Sequence, residues 1–165
     1  MKQKRKTPGL LLALVIPLAV GALAAWLTRD GMAAFAQLNK PPLTPPGWVF
    51  PVVWTILYLL MGLASWLVAA ADAPAVQKRR ALAVYGVQLA LNYYWPILFF
   101  TMANFQLAFW WLAALWAVVF VCAALFYRLR PAAGWLLAPY ILWLTFAGWL
   151  NYAVWQLSIT PAPAL

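Results

Sequence analysis

A chain of 165 residues that is 68% hydrophobic and only 8% charged cannot be a soluble domain, whose surface needs about a quarter of its residues charged. Its net charge of +9 does not point to nucleic acid, because the basic residues stand in short clusters between long apolar runs; anionic lipid head groups and membrane topology account for them better. With no histidine, one cysteine (Cys122) and two acids (Asp30 and Asp72), the sequence lacks the means for a thiolate or imidazole metal site, a His-ligated haem, or a carboxylate pair for acid–base work.

In chain order, five runs reach the roughly 20 apolar residues that a membrane-spanning helix needs. They are about Leu10–Leu27, Trp48–Ala70, Ala81–Thr101, Phe105–Tyr127 and Ala132–Leu157. None alternates with a period of two, so a membrane barrel is excluded. The predicted fold is therefore an all-α integral membrane bundle of five transmembrane helices, a single domain over 1–165. Lys2, Lys4, Arg5 and Lys6 ahead of the first run imitate a signal peptide. Because the rest of the chain is membrane-embedded, an uncleaved first helix is expected.

The segment Thr28–Gly47 reads as a true loop. Its prolines fix φ and prevent helix, giving a stiff extended stretch that either lies across one mouth of the bundle or merely connects. Met102–Ala103–Asn104 is so short that the third and fourth helices must be antiparallel neighbours. The N-terminal tail, the Lys78–Arg79–Arg80 connection and the Arg128/Arg130 connection hold all but two of the eleven Lys and Arg; Arg29 and Lys40 fall on the other side. The positive-inside rule then places the N-terminus in the cytoplasm of a bacterial inner membrane and the C-terminus outside.

Twelve tryptophans stand out. Trp26, Trp48, Trp135 and Trp155 lie near run ends and fit an interfacial belt. Trp54, Trp95, Trp143 and the Trp110–Trp111–Trp116 group fall mid-span and need packing partners or a ligand. Helical spacing puts Phe50, Trp54 and Tyr58 on one face of the second helix, Asn92, Trp95 and Phe99 on one face of the third, and Trp143, Ala147, Leu150 and Asn151 on one face of the fifth. Asn92 and Asn151, uncharged polar groups at membrane depth, must face partners rather than lipid. Converging stripes would form an aromatic pocket suited to flat hydrophobic ligands; otherwise they are helix core, with the asparagines as bridges. Pro96 and Pro139 read as kinks. Ala147–Gly148 and the fourth-helix alanines Ala113, Ala114, Ala117, Ala123 and Ala124 permit close helix approach and oligomer contacts.

Three motifs carry a resemblance. Lys40-Pro-Pro-Leu-Thr-Pro-Pro-Gly-Trp48-Val-Phe-Pro-Val-Val-Trp54-Thr-Ile-Leu-Tyr58 resembles the signature of the TspO/MBR family, which comprises translocator proteins and tryptophan-rich sensory proteins. Gln88-Leu-Ala-Leu-Asn92-Tyr-Tyr-Trp95-Pro96-Ile-Leu-Phe99-Phe100 is similar to its third-helix motif. Pro139-Tyr140-Ile-Leu-Trp143-Leu-Thr-Phe146-Ala147-Gly-Trp-Leu150-Asn151-Tyr152 is similar to its fifth.

The resemblance implies a five-helix bundle, commonly a homodimer, that binds porphyrins and related tetrapyrroles, sterols such as cholesterol, and benzodiazepine-site ligands. It also implies that Trp54 and Trp143 line the pocket and that the size of Ala147 affects ligand fit. With the stripes, the expected ligand-binding set is Phe50, Trp54, Asn92, Trp95, Phe99, Trp143, Ala147 and Leu150. No metal site and no resident cofactor are expected; a porphyrin would be a ligand. The family's sterol pattern needs a basic residue after the tyrosine, but here Leu150 and Tyr152 are followed by Gln156, and the formal match lies instead at Leu125-Phe-Tyr127-Arg-Leu-Arg130.

The expected function is a membrane sensor or binding protein for porphyrins, with the bilayer, a porphyrin or sterol-like molecule and a second copy as partners and no nucleic acid. Arg29 or Lys40 would meet porphyrin propionates at the mouth. The alternatives are light- and oxygen-dependent porphyrin breakdown with Trp54 and Trp143 as redox-active neighbours, tetrapyrrole or sterol transport, or a purely structural module.

Overall fold

The computed structural model describes residues 7–37, 40–41 and 43–160, and it is helical almost throughout. The basic tail Lys2–Lys6 and Pro42 of the proline segment lie outside the described residues. The elements in order are α1 (Thr7–Ala36), α2 (Val49–Ala69), α3 (Ala75–Pro96) continued by a π-helical turn (Ile97–Thr101), α4 (Phe105–Leu129), α5 (Pro131–Trp135) and α6 (Ala138–Ile159). Among the described residues four stretches are long and apolar enough to cross a membrane: Gly9–Ala36, Val49–Ala69, Phe105–Leu129 and Pro131–Ile159. The chain is thus a multi-pass integral membrane protein. α3 has the length but not the composition, because Gln77, Lys78, Arg79, Arg80, Gln88 and Asn92 dilute its apolar character.

Three boundaries differ from the sequence expectation. First, α1 runs on through Ala36, so the segment from Thr28 is helical and the loop is shorter than expected. Met32, Ala33, Ala34 and Ala36 are good helix formers, and no proline falls within this stretch. Second, α3 begins at Ala75, behind Pro74, so Lys78–Arg79–Arg80 is helical rather than loop. Lys78 Nζ reaches back to the carbonyls of Ala69 (3.4 Å) and Ala71 (3.2 Å), beside the end of α2. Third, the last predicted span divides at Leu136–Leu137, which puts Pro139 in the first turn of α6, where its missing N–H costs no helical bond, rather than at a mid-helix kink.

Pro96 does more than kink. The helix widens just after it: Met102 N bonds to Ile97 O (2.9 Å) and Asn104 N to Leu98 O (3.1 Å), both longer loops than an α-turn closes. Ala103 then reverses the chain at φ 50°, and Asn104 caps α4 by accepting from Leu107 N (3.0 Å). α3 and α4 therefore pack as antiparallel neighbours, as the short connection requires.

α1 packs along α2, α3 along α4, and α4 along α6, while α5 contacts α2 and α4. Met61, Ala64, Val68, Leu112, Leu115, Val119, Cys122, Phe126 and Leu144 fill the α5 end and the middle of the bundle. Large apolar side chains such as Leu11, Leu12, Ile56, Phe120 and Leu142 point outward, as lipid contact demands. Trp48 and Trp135 are exposed at helix ends, and Trp26 is exposed within α1, which runs on past it. Trp110 is also exposed, Trp111 donates to Leu91 O (2.8 Å) and Trp116 to Thr145 Oγ1 (2.9 Å). Two members of that mid-span group thus have partners in the protein, and none of the three lines the large cavity at the opposite end from α5.

Candidate functional site

At the end of the bundle away from α5 the core is replaced by a cavity of about 430 Å³, walled by α1, α2, α3, the π-turn and α6 and edged by the proline segment. Small-molecule sites commonly span about 300–1,000 Å³. Phe50, Trp54, Asn92, Trp95, Phe99, Trp143, Ala147 and Leu150 all line it. The 3.6-residue period keeps each stripe on one helix face, and the packing of the bundle turns the three faces to the same space.

The walls are aromatic pairs. Trp54 stacks on Tyr58 (centroids 5.5 Å apart, 30° between planes) and meets Tyr140 edge-on at 6.1 Å. Phe50 meets Trp143 edge-on at 5.9 Å, and Trp95 stacks on Phe99 at 5.3 Å. A π-turn holds one more residue than an α-turn, so it shifts the helical phase of the residues after Pro96. Phe99 and Phe100 consequently both lie against Phe35 of α1, at 5.2 and 5.6 Å.

Beneath the aromatic walls runs a buried hydrogen-bond chain. Tyr58 Oη donates to Asn92 Oδ1 (2.9 Å), Asn92 Nδ2 donates to Tyr140 Oη (2.6 Å), and Tyr140 Oη donates to Gln88 Oε1 (3.2 Å). The chain ties α2, α3 and α6 at one level. A second set fixes the far wall: Trp95 Nε1 donates to Asn151 Oδ1 (3.2 Å) and Asn151 Nδ2 to Phe105 O (2.8 Å). Both asparagines therefore face partners rather than lipid. Asn92→Leu should leave the Tyr58 and Tyr140 hydroxyls short of a partner and lower stability by about 1–2 kcal/mol. Thermal unfolding of the variant beside Tyr58→Phe/Asn92→Leu/Tyr140→Phe checks this, since removing all three polar groups together should recover part of the loss; no recovery would contradict it.

Trp54 and Trp143 both line the cavity, and neither indole N–H donates to a protein acceptor among the described residues. Of the two cations on this side, only Lys40 borders the cavity. Arg29 instead lies 5.2 Å over the Trp26 ring, with its Nε 3.6 Å from Asp30. No carboxylate lines the cavity among the described residues, and no cluster of three potential metal ligands occurs among them. The site can thus hold and orient a mostly apolar molecule; it offers no acid–base pair.

Sequence reasoning missed α1. Gly21, Ala24, Ala25, Thr28, Met32 and Phe35 form one wall. Their spacing of three and four is a readable signal, but small residues there read equally well as plain helix contact. Tyr140, which accepts from Asn92, and Gln88, which accepts from Tyr140, stand within the motifs, yet spacing alone gives them no role.

Residues 13–156 match the family model described as TspO/MBR family. The chain is 37% identical over 145 residues to a translocator protein of Bos taurus, covering 86% of this chain and 85% of that protein. It is 39% identical over 124 residues to a tryptophan-rich sensory protein of Cereibacter sphaeroides, with 75% and 76% covered. It is 36% identical over 129 residues to Protein CrtK of Rhodobacter capsulatus, with 76% and 79% covered.

Proposed function

This chain belongs to the TspO/MBR family, and from that premise we propose that it is a membrane sensor or binding protein whose cavity holds a porphyrin or a similarly flat, mostly apolar molecule such as a sterol. The observation that carries this reading is the pairing of an indole-walled apolar cavity with one cation at its rim. Flat aromatic ligands stack on indole and phenyl faces, and a peripheral carboxylate needs a cation at the water-facing edge. The porphyrin is a ligand that comes and goes, not a resident cofactor. Residue roles follow the geometry: Trp54 and Trp143 present ring faces and N–H donors, Trp95 and Phe99 form the stacked back wall, and Ala147 and Leu150 set the width.

The reading includes five membrane crossings. α3 serves as the fifth, since Gln88 and Asn92, its deep polar residues, are buried against neighbouring helices rather than turned to lipid. The N-terminus lies in the cytoplasm of a bacterial inner membrane, and two copies form a homodimer.

The test is a titration with protoporphyrin IX in detergent in the dark, read by tryptophan quenching. Saturation near one ligand per chain supports the proposal; linear, non-saturating quenching means partition into micelles and ends it. Lys40 gives a sharper prediction. An exposed charge contact contributes about 0.2–1 kcal/mol, so Lys40→Gln should raise the Kd by about 1.4- to fivefold. Arg29→Gln should leave the Kd unchanged. The dimethyl ester of the same porphyrin should not distinguish Lys40→Gln from the unaltered protein, and an equal loss for the ester would remove Lys40 from the role.

A further inference from the structure

The helices around the cavity are not joined equally. α3 is tied to α6 through Asn92–Tyr140, Tyr140–Gln88 and Trp95–Asn151. α4 is tied to α6 through Trp116–Thr145 and Asn151–Phe105. α2 and α6, by contrast, do not pack along their lengths as α1 and α2 or α4 and α6 do, and they are linked at one end by way of α5. No hydrogen bond crosses between α2 and α6 among the described residues. At the level of the cavity two edge-on aromatic contacts bridge them, Phe50 with Trp143 (5.9 Å) and Trp54 with Tyr140 (6.1 Å).

The outer side of this seam faces lipid. α2 turns Val52 and Ile56 outward, and α6 turns Leu142 and Trp149 outward. Pro51, exposed, lines the cavity, and so does half-buried Trp143. Behind Trp143 stands Phe146, half-buried, absent from the cavity wall, 5.5 Å from Trp143 and stacked on Trp149 at 6.0 Å. The mouth of the cavity is edged instead by Lys40, Thr44, Pro45 and Gly47 of the proline segment, where Thr44 Oγ1 donates to Pro41 O (2.7 Å).

We propose that the ligand enters and leaves sideways, from the bilayer, through the α2–α6 seam, with the Phe50–Trp143 contact as the gate and Phe146 as the stop that holds Trp143 shut. A flat apolar ligand is already concentrated in the hydrocarbon, so a lateral door spares it a passage through water. Opening that door requires only aromatic rings to turn, with no buried polar group left unpaired, whereas parting α6 from α3 or α4 would break the hydrogen bonds that tie them. The membrane-side door and the cation at the rim then orient the ligand, apolar edge inward and polar edge toward Lys40. The inference rests on the proposed binding role.

Two kinetic arms test it, with protoporphyrin IX as probe. In nanodiscs containing the unaltered protein, the observed association rate at a fixed free aqueous porphyrin concentration should rise in proportion to the porphyrin's partition coefficient when that coefficient is varied through the lipid composition; a rate set by free aqueous porphyrin alone, the same in every bilayer, overturns lateral entry. In the second arm, Phe146→Ala should raise association and dissociation rates together, by about tenfold, with the Kd unchanged, because a gate alters the barrier and not the bound state. A rise in dissociation alone, or no change in either rate, overturns the gate. Absence of saturable binding by the unaltered protein overturns the binding role itself and the gate with it, whereas saturable binding with the wrong kinetics overturns the gate alone.

Discussion

Ala147→Phe should raise the Kd for protoporphyrin IX by at least about a hundredfold while the protein still folds. Ala147 lies one helical turn beyond Trp143 on α6 and faces the cavity. Side chains on a helix lean toward its N-terminus, so a phenyl ring at 147 is directed over the preceding turn, toward Trp143 and the space between the indoles. That space is what a flat ligand would fill, and two ring systems cannot share it. Overpacking a filled core costs about 1–3 kcal/mol, but here the added ring enters a void of about 430 Å³, so the helix contacts need not shift. The thermal midpoint should therefore stay within a few degrees while quenching loses saturation. Trp143→Phe, which keeps a ring but loses the indole face and its N–H, should weaken binding by only about tenfold. Unchanged affinity in Ala147→Phe would place the ligand somewhere other than this cavity.

That each stripe shares one helix face is legible in the sequence because a helix repeats every 3.6 residues whatever surrounds it; that the three faces meet at one cavity is not, because it depends on how the bundle closes. Phe50, Trp54 and Tyr58, for instance, have to share a face. The obligation of Asn92 and Asn151 to find partners is equally legible, since hydrocarbon offers them none. Their particular partners are not, because Tyr140 and Phe105 come from other helices and depend on how the bundle closes.

Helix ends are the least legible feature. The charges Arg29 and Asp30 suggest that α1 has left the membrane there; yet leaving the membrane is not leaving the helix, and α1 continues to Ala36. The basic run at 78–80 misleads for the same reason, being helical although charged. The π-turn after Pro96 cannot be told from a kink by sequence, because both begin with the same missing N–H. The contribution of α1 to the cavity is hidden by its chemistry: Gly21, Ala24 and Ala25 shape the wall by being small. Of the two roles the sequence left open for Trp110, Trp111 and Trp116, the structure gives Trp111 and Trp116 partners on neighbouring helices, while Trp110 is exposed, a distinction that spacing alone does not carry.

Gly62→Ala should lower stability by about 2 kcal/mol although it adds only one methyl group. Gly62 lies where α2 crosses α1, and a Cβ there would come within 2.6 Å of Ala13 O and 2.8 Å of Leu14 Cα. Both are backbone atoms, so no side chain can turn aside and the helices must move apart. Alanine is worth up to about 1 kcal/mol over glycine within a helix, which works in the variant's favour. Forced overpacking costs about 1–3 kcal/mol, and a backbone obstacle puts this site at the upper end, so the clash outweighs the propensity. Gly86 on α3 supplies the control. A Cβ there has nothing within 4 Å, so Gly86→Ala carries the propensity gain alone and should stabilise by about 0.5–1 kcal/mol. Unfolding in a graded detergent mixture, followed by tryptophan emission, would read both variants on one scale. If Gly62→Ala proved as stable as Gly86→Ala, the α1–α2 crossing could not be as close as the structure has it, and the cavity wall that α1 supplies would have to be redrawn with it.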